Sequence, residues 1–218
     1  MKRIIVLASG SGTNLQAIID ADQRNAFAGE VVGVISNVPT AKCLDRAEDH
    51  GIKAVAIDHT RYGSREEFEA ELAVAVDSFD PDLIVLAGFM RILTPVFVDK
   101  YLGKLINIHP SLLPKYPGLN THQRAIDAGD EYAGATVHYV TAELDGGPPI
   151  IQGKTAIAMD MTASTLAEQI LFNVEHLIFP VAVSWFCDNR LRYESGRALL
   201  DDKLIGNSGI LWETLENV

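Results

Sequence analysis

Arg3-Ile4-Ile5-Val6-Leu7-Ala8-Ser9-Gly10-Ser11-Gly12-Thr13-Asn14-Leu15-Gln16 is the stretch that decides the fold. Its apolar run lacks polar alternation, which describes a strand buried on both faces. A glycine-rich turn follows. Thr13-Asn14-Leu15-Gln16 then has the S/T-x-x-Q form of a capping box, which predicts a helix starting there. Strand, glycine loop and helix in that order open a mononucleotide-binding α/β fold.

Working outward, residues 31–36 and 54–57 are strand candidates, and 41–50 reads as a helix ended by Gly51. Ser64-Arg65-Glu66-Glu67 is a second capping box, opening a helix with Phe68, Leu72, Val76 and Phe79 at helical spacing. A fourth strand follows over 83–87. This rhythm predicts a parallel sheet with right-handed crossovers. Thr94-Pro95 starts a helix reaching Tyr101, and 105–108 is a fifth strand running into His109-Pro110. Beyond it Pro110, Pro114 and Pro117 interrupt regular structure. A helix resumes over 121–128, and strands over 136–141 and 150–158 flank the turn Asp145-Gly146-Gly147-Pro148-Pro149. Thr165-Leu166-Ala167-Glu168 begins a long helix to Phe186, and the tail holds short strands at 191–194 and 198–200. The predicted fold class is α/β: a mostly parallel twisted sheet with helices on both faces, a Rossmann-like N-terminal half and a mixed-sheet C-terminal half. One domain is expected over 1–218, with a nucleotide-binding half over about 1–100, a second half over 101–190 and a tail over 191–218.

The 218 residues are 48% hydrophobic, enough to bury a large core without metals or disulfides. Cys43 and Cys187 form no C-x-x-C pair or metal-spaced cluster and read as buried thiols. The apolar run after Met1-Lys2-Arg3 is too short for a signal peptide, and no stretch approaches the length of a membrane span, so a cytoplasmic protein is expected. A formal charge of −11 argues against nucleic-acid or anionic-membrane partners, which call for a basic face. Small anionic substrates stay open to it, held by local donors.

The loop 9–14 offers backbone N–H groups and a helix N-terminus to an anion, although glycine there also serves a tight turn alone. It is not a Walker loop, and Leu15 stands where a dinucleotide fingerprint has its third glycine. One phosphate suits it better than a dinucleotide. Segments 88–93 and 107–114 sit at the carboxyl ends of strands, where such sheets open their crevice. Asn107 and His109, two apart, project to one side of an extended segment. An amide donor and a protonatable imidazole there suit the oxyanion of an acyl transfer to an amine, with Asp145 as the carboxylate that orients the imidazole or receives protons. No G-x-S-x-G elbow or comparable Cys offers a covalent nucleophile, so direct attack by a substrate amine is the simpler route. His109, His122 and His138 form no compact ligand motif, and no metal is expected.

Taken together, the loop 9–16, the segment 88–93, the run 107–118 and Glu143-Leu144-Asp145-Gly146-Gly147-Pro148 resemble, in order and spacing, the folate-dependent phosphoribosylglycinamide formyltransferases. The similarity extends from the first strand to about Trp185-Phe186. It implies transfer of the formyl group of 10-formyltetrahydrofolate, a co-substrate, to the amine of glycinamide ribonucleotide in purine biosynthesis. It implies catalytic Asn107, His109 and Asp145, with His109 as proton donor, in a folate-binding and catalytic second half. Gly12, Thr13, Asn14 and Glu175 would contact the ribonucleotide. Arg65, Met90, Arg91, Ile92, Leu93 and Leu144 would line the folate pocket, and the Leu113-Pro114 bond would be cis. The alternative for Arg91 and Glu175 is ordinary surface charge, and for Arg65 a first-turn helix residue, with function favoured for each and least so for Arg65. Asn120 departs from the family, where a His is frequent. Formyltetrahydrofolate deformylase and methionyl-tRNA formyltransferase share the Asn, His and Asp arrangement, and length and charge speak against both. A non-catalytic nucleotide-binding or folate-binding module is the reading from another class. A monomer or a homodimer is compatible with the sequence.

Overall fold

The computed structural model describes residues 1–214. Strands β1 (Lys2–Ala8), β2 (Gly29–Ser36), β3 (Lys53–Ala56), β4 (Leu83–Leu86), β5 (Leu105–His109), β6 (Tyr132–Tyr139), β7 (Pro149–Ala156) and β11 (Ile210–Leu211) form one sheet in the order β11-β7-β6-β5-β4-β1-β2-β3. β1 to β5 are mutually parallel, while β6 runs antiparallel to β5 and β7. β8 (Leu191–Glu194), β9 (Arg197–Leu200) and β10 (Lys203–Leu204) make a small antiparallel sheet. The parallel half and the mixed half stand as expected.

Ile4 to Ala8 of β1 are wholly buried because both faces of the sheet are covered. On one face, α3 (Arg65–Asp77) and α4 (Pro95–Lys100) bring Phe68, Leu72, Phe97 and Val98 against Ile5, Leu7 and Ile84. On the other, α1 (Thr13–Gln23), α2 (Lys42–Asp49), α5 (Thr121–Asp127), α6 (Ala163–Ile170) and α7 (His176–Cys187) pack on Ile4, Val6, Val85 and Ile106. β1 lies between β4 and β2, so the strand order reverses there and opens a crevice at the carboxyl ends of β1 and β4.

Local expectations are corrected in three places. Thr13 does not cap α1: Gly12 occupies the cap in the left-handed region at φ 71°, and no side chain caps the helix. A Cβ on Gly12 would lie 2.8 Å from Cys43 Cβ, so both the angle and the space demand glycine. The amide of Gln16 instead donates to Asp20 and accepts from Arg46. The long C-terminal helix starts earlier, with Thr162 Oγ1 accepting from Thr165 N at 3.2 Å, and it is not uniform: Leu171–Glu175 is a π-helical turn between α6 and α7. Together 163–187 is long and apolar enough, by length and composition, to cross a membrane, contrary to the expectation that no stretch approaches one. Its apolar side, through Leu166, Ile170, Val174, Ile178 and Ala182, is buried against the sheet, which is why it is apolar. By contrast, the Ser64 box forms: Ser64 Oγ accepts from Glu67 N at 3.1 Å, and Glu67 Oε2 reaches back to Gly63 N at 2.9 Å.

Candidate active site

β5 delivers Asn107 and His109 on one side, and its antiparallel register sets Asn107 opposite His138 and His109 opposite Thr136. Asn107 Nδ2 donates to His138 Nε2 at 3.1 Å. His138 Nδ1 lies 2.9 Å from the Tyr139 carbonyl, which can only accept, so this nitrogen carries the proton and Nε2 is left to accept. Burial pushes the His138 pKa below its ordinary value, which agrees with a neutral ring. The orientation of the Asn107 amide follows from that tautomer.

Asp145 sits at φ 50° in the loop before β7, a left-handed turn that Asp tolerates. Its Oδ2 accepts from Gly118 N at 2.8 Å and lies 3.4 Å from His109 Nδ1, while Oδ1 lies 3.8 Å from His138 Nε2. The His109 and Asp145 side chains are only 7% and 10% exposed, so this pair feels little solvent screening. His109 Nε2 donates to the Tyr116 carbonyl at 2.9 Å. Both ring nitrogens therefore face acceptors, and an imidazolium here has a partner for each proton. The turn beyond His109, including the cis Leu113-Pro114 bond, is held by a buried network. Thr136 Oγ1 donates to Ser111 O at 2.6 Å and accepts from Leu113 N at 3.1 Å, and Gln152 Nε2 donates to Leu113 O at 2.7 Å.

At the crevice, Ser9 ties two loops together. Met90 N donates to Ser9 Oγ at 2.7 Å and Ser9 N to Gly88 O at 3.1 Å. Leu93 is buried, whereas Met90, Ile92 and Leu144 are exposed large hydrophobics on the loops beside the crevice and beside Asp145. Arg91 is half-buried, and among the described residues its Nε has no hydrogen-bond partner. Arg65 is exposed in the first turn of α3, and among the described residues no hydrogen bond or ion pair joins it to the others.

Asn14 and Glu175, far apart in sequence, meet: Asn14 Nδ2 donates to Glu175 Oε2 at 2.6 Å. Burial raises the Glu175 pKa, with the Asn14 hydrogen bond opposing it. Among the described residues, the buried Asn14 Oδ1 has no hydrogen-bond partner. The π-helical turn ending at Glu175 places that carboxylate, as such turns often do at functional sites. Thus Asn107, His109 and Asp145 form one cluster, and Asn14 and Glu175 another beside Gly12 and Thr13.

The Formyl transferase family model matches residues 2–183. The chain belongs to the formyl transferase family. Within that family, the phosphoribosylglycinamide formyltransferase of Escherichia coli is 47% identical over 206 residues, covering 94% of this chain and 97% of the relative. The solved structure of the Coxiella burnetii phosphoribosylglycinamide formyltransferase superposes on this formyl transferase with a TM-score of 0.92 at 48% identity, covering 96% of this chain and 98% of the other. Glycinamide ribonucleotide transformylase 1 of Symbiobacterium toebii gives 0.88 at 41%, covering 92% and 94%.

Sequence reasoning treated His138 only as a metal ligand to be discounted, and it missed Thr136 and Gln152. The signal for His138 was its place two residues after Thr136 in a strand; its use depends on register with β5, which no local pattern carries. Asn120 takes the left-handed cap position of α5 without a side-chain cap.

Proposed function

We propose that this chain transfers the formyl group of 10-formyltetrahydrofolate to the amine of glycinamide ribonucleotide by direct attack. The observation that carries the reading is the cluster at the end of β5, where an amide, an imidazole and a carboxylate converge with little solvent. The attacking nitrogen forms a bond to the formyl carbon, and the carbonyl oxygen becomes an oxyanion. Asn107 has a second Nδ2 hydrogen beyond the one given to His138, and it stabilises that oxygen. His109 exchanges the Tyr116 carbonyl for substrate and gives its proton as the bond from carbon to folate nitrogen breaks. Asp145 orients the imidazole and stabilises its charged form. The oxyanion collapses to the new amide carbonyl, the attacking nitrogen gives up one proton to the His109–Asp145 pair, and the leaving nitrogen keeps the proton from His109, giving tetrahydrofolate and the formylated ribonucleotide. No covalent enzyme intermediate is needed.

Gly12, Thr13, Asn14 and Glu175 hold the ribonucleotide, with the phosphate on the loop N–H groups and Glu175 on the ribose. Met90, Arg91, Ile92, Leu93 and Leu144 receive the folate, with Arg65 at the pocket's edge. The exposed apolar side chains of Met90, Ile92 and Leu144 are what a flat heteroaromatic ring would cover. We infer a cytoplasmic setting from the reaction. The test mixes the protein with 10-formyltetrahydrofolate, with and without glycinamide ribonucleotide, and follows tetrahydrofolate release. Turnover that needs the ribonucleotide is expected; turnover without it indicates a hydrolase, and binding without turnover a module.

A further inference from the structure

Arg46, on the second turn of α2, has no part in the roles given above, yet it grips the glycine loop from behind. Its Nε donates to Ser11 O at 2.7 Å and its Nη1 to Gln16 Oε1 at 3.0 Å. Its Cδ would lie 3.3 Å from a Cβ at Gly12. Two neighbouring carbonyls are held as well: Cys43 N donates to Gly10 O at 3.1 Å, and Gln16 N to Gly12 O at 2.9 Å. A trans peptide points its C=O and the following N–H in opposite directions. Fixing the carbonyls of Gly10, Ser11 and Gly12 therefore turns the N–H groups of Ser11, Gly12 and Thr13 away from the groups that hold them. Among the described residues no hydrogen bond takes the N–H of Ser11 or Gly12. Those of Thr13 and Asn14 lie in the first turn of α1, where no intrahelical acceptor exists.

We propose that Arg46 is a positioning residue for the ribonucleotide phosphate. By holding the Ser11 carbonyl with a charged donor, it aims the Gly12 N–H at the anion and polarises that peptide toward stronger donation. It also places a positive charge behind the loop of a chain whose formal charge is −11. Gln16 anchors the second arm of the guanidinium and keeps it from turning toward solvent. The proposal rests on the reading of this loop as the phosphate end of the ribonucleotide site.

The test compares kcat/KM for glycinamide ribonucleotide with that for its dephosphorylated riboside, in the wild type and in Arg46→Ala, Arg46→Lys and Gln16→Leu. Arg46→Ala is expected to raise the KM for the ribonucleotide about tenfold, the scale of one charge-assisted hydrogen bond. The folate KM and the rate with the riboside should stay within about twofold on the same scale, so that the advantage conferred by the phosphate shrinks. Arg46→Lys should recover part of it, because the charge stays while the two-armed grip is lost. Gln16→Leu should give a smaller loss of the same selectivity, and it reads the proposal should Arg46→Ala not fold. Equal losses with ribonucleotide and riboside would make Arg46 a plain structural clamp, and no loss with either would leave it without a role; both overturn the proposal. A wild type that does not prefer the phosphorylated substrate instead defeats the phosphate-loop reading beneath it.

Discussion

Asn107 and Asp145 differ in what their removal leaves behind. Asn107 gives one hydrogen to His138 and keeps one for the oxyanion, so Asn107→Ala removes a donor without unpairing a charge. Its kcat should fall by about a hundredfold or more, the usual cost of losing one oxyanion donor, and the urea midpoint should also fall, because the buried His138 Nε2 loses its donor at a cost of about 1–3 kcal/mol. Asp145→Asn keeps an acceptor for Gly118 N but takes the charge from beside His109, and a loss of similar size is expected. Near-normal single-turnover rates in either variant would take that residue out of the mechanism. Glu175 presents the opposite balance. Its pKa is raised by burial, so the folded state holds the proton more firmly than the unfolded chain does. That contribution to stability is fully present below the ordinary value of 4.5 and is lost as pH rises through the folded value. Glu175→Gln cannot ionise, so its urea midpoint should exceed that of the wild type at pH 8 and draw level near pH 4.5. The same change should raise the KM for the ribonucleotide about tenfold. A midpoint difference that does not vary with pH would count against an ionised, strained Glu175 in the free enzyme.

At the level of elements, strand runs and one helix cap were legible locally, whereas the Thr13 box failed because Gly12 takes the cap position of α1. The apolar runs of β1, β4 and β5 and the Ser64 cap need only neighbours in sequence, and all stand where the sequence put them. β6 was legible only in its second half. It starts at Tyr132, but Ala133-Gly134-Ala135 carries no β-branched or alternating signal, because a glycine is required by something the sequence does not show. A Cβ on Gly134 would lie 1.9 Å from the Gly153 carbonyl on β7 and 2.9 Å from Leu112 in the turn after His109. Gly134→Ala must therefore part β6 from β7 or push that turn outward. It should destabilise the protein by about 1–3 kcal/mol, as overpacking does. Because β6 carries Thr136 and His138, kcat should fall with it. Chemical denaturation and steady-state rates on the one variant check both halves of the statement. The grouping of Asn107, His109 and Asp145 was legible for the same reason in reverse: Asn107 and His109 share a strand, and Asp145 lies in a marked turn. His138 needed the antiparallel register, and Glu175 the π-helical turn, neither of which has a local signature here.

Across the whole molecule, the reversal of strand order at β1 explains why loops 9–14 and 88–93 adjoin, and of this only the parallel sheet itself followed from the alternation of strands and helices. The position of β11 did not, since two residues pairing with β7 leave no periodicity to detect. Net charge acts on the same scale, and it leads to a prediction about substrate capture. The formal charge of −11 repels an approaching phosphate at long range, while the loop N–H groups attract it only at contact. Salt shortens the Debye length from about 30 Å at 0.01 M to about 8 Å at 0.15 M. Screening therefore removes the distant repulsion before it weakens hydrogen bonds made in a half-enclosed site. Over that range kcat/KM for the ribonucleotide should rise, by up to about threefold, the modest end of electrostatic steering. A basic site of the kind that captures nucleic acid would show a steep fall. A fall here would mean that a local cationic field, with Arg46 at its centre, outweighs the charge of the rest of the chain at every distance that matters for capture.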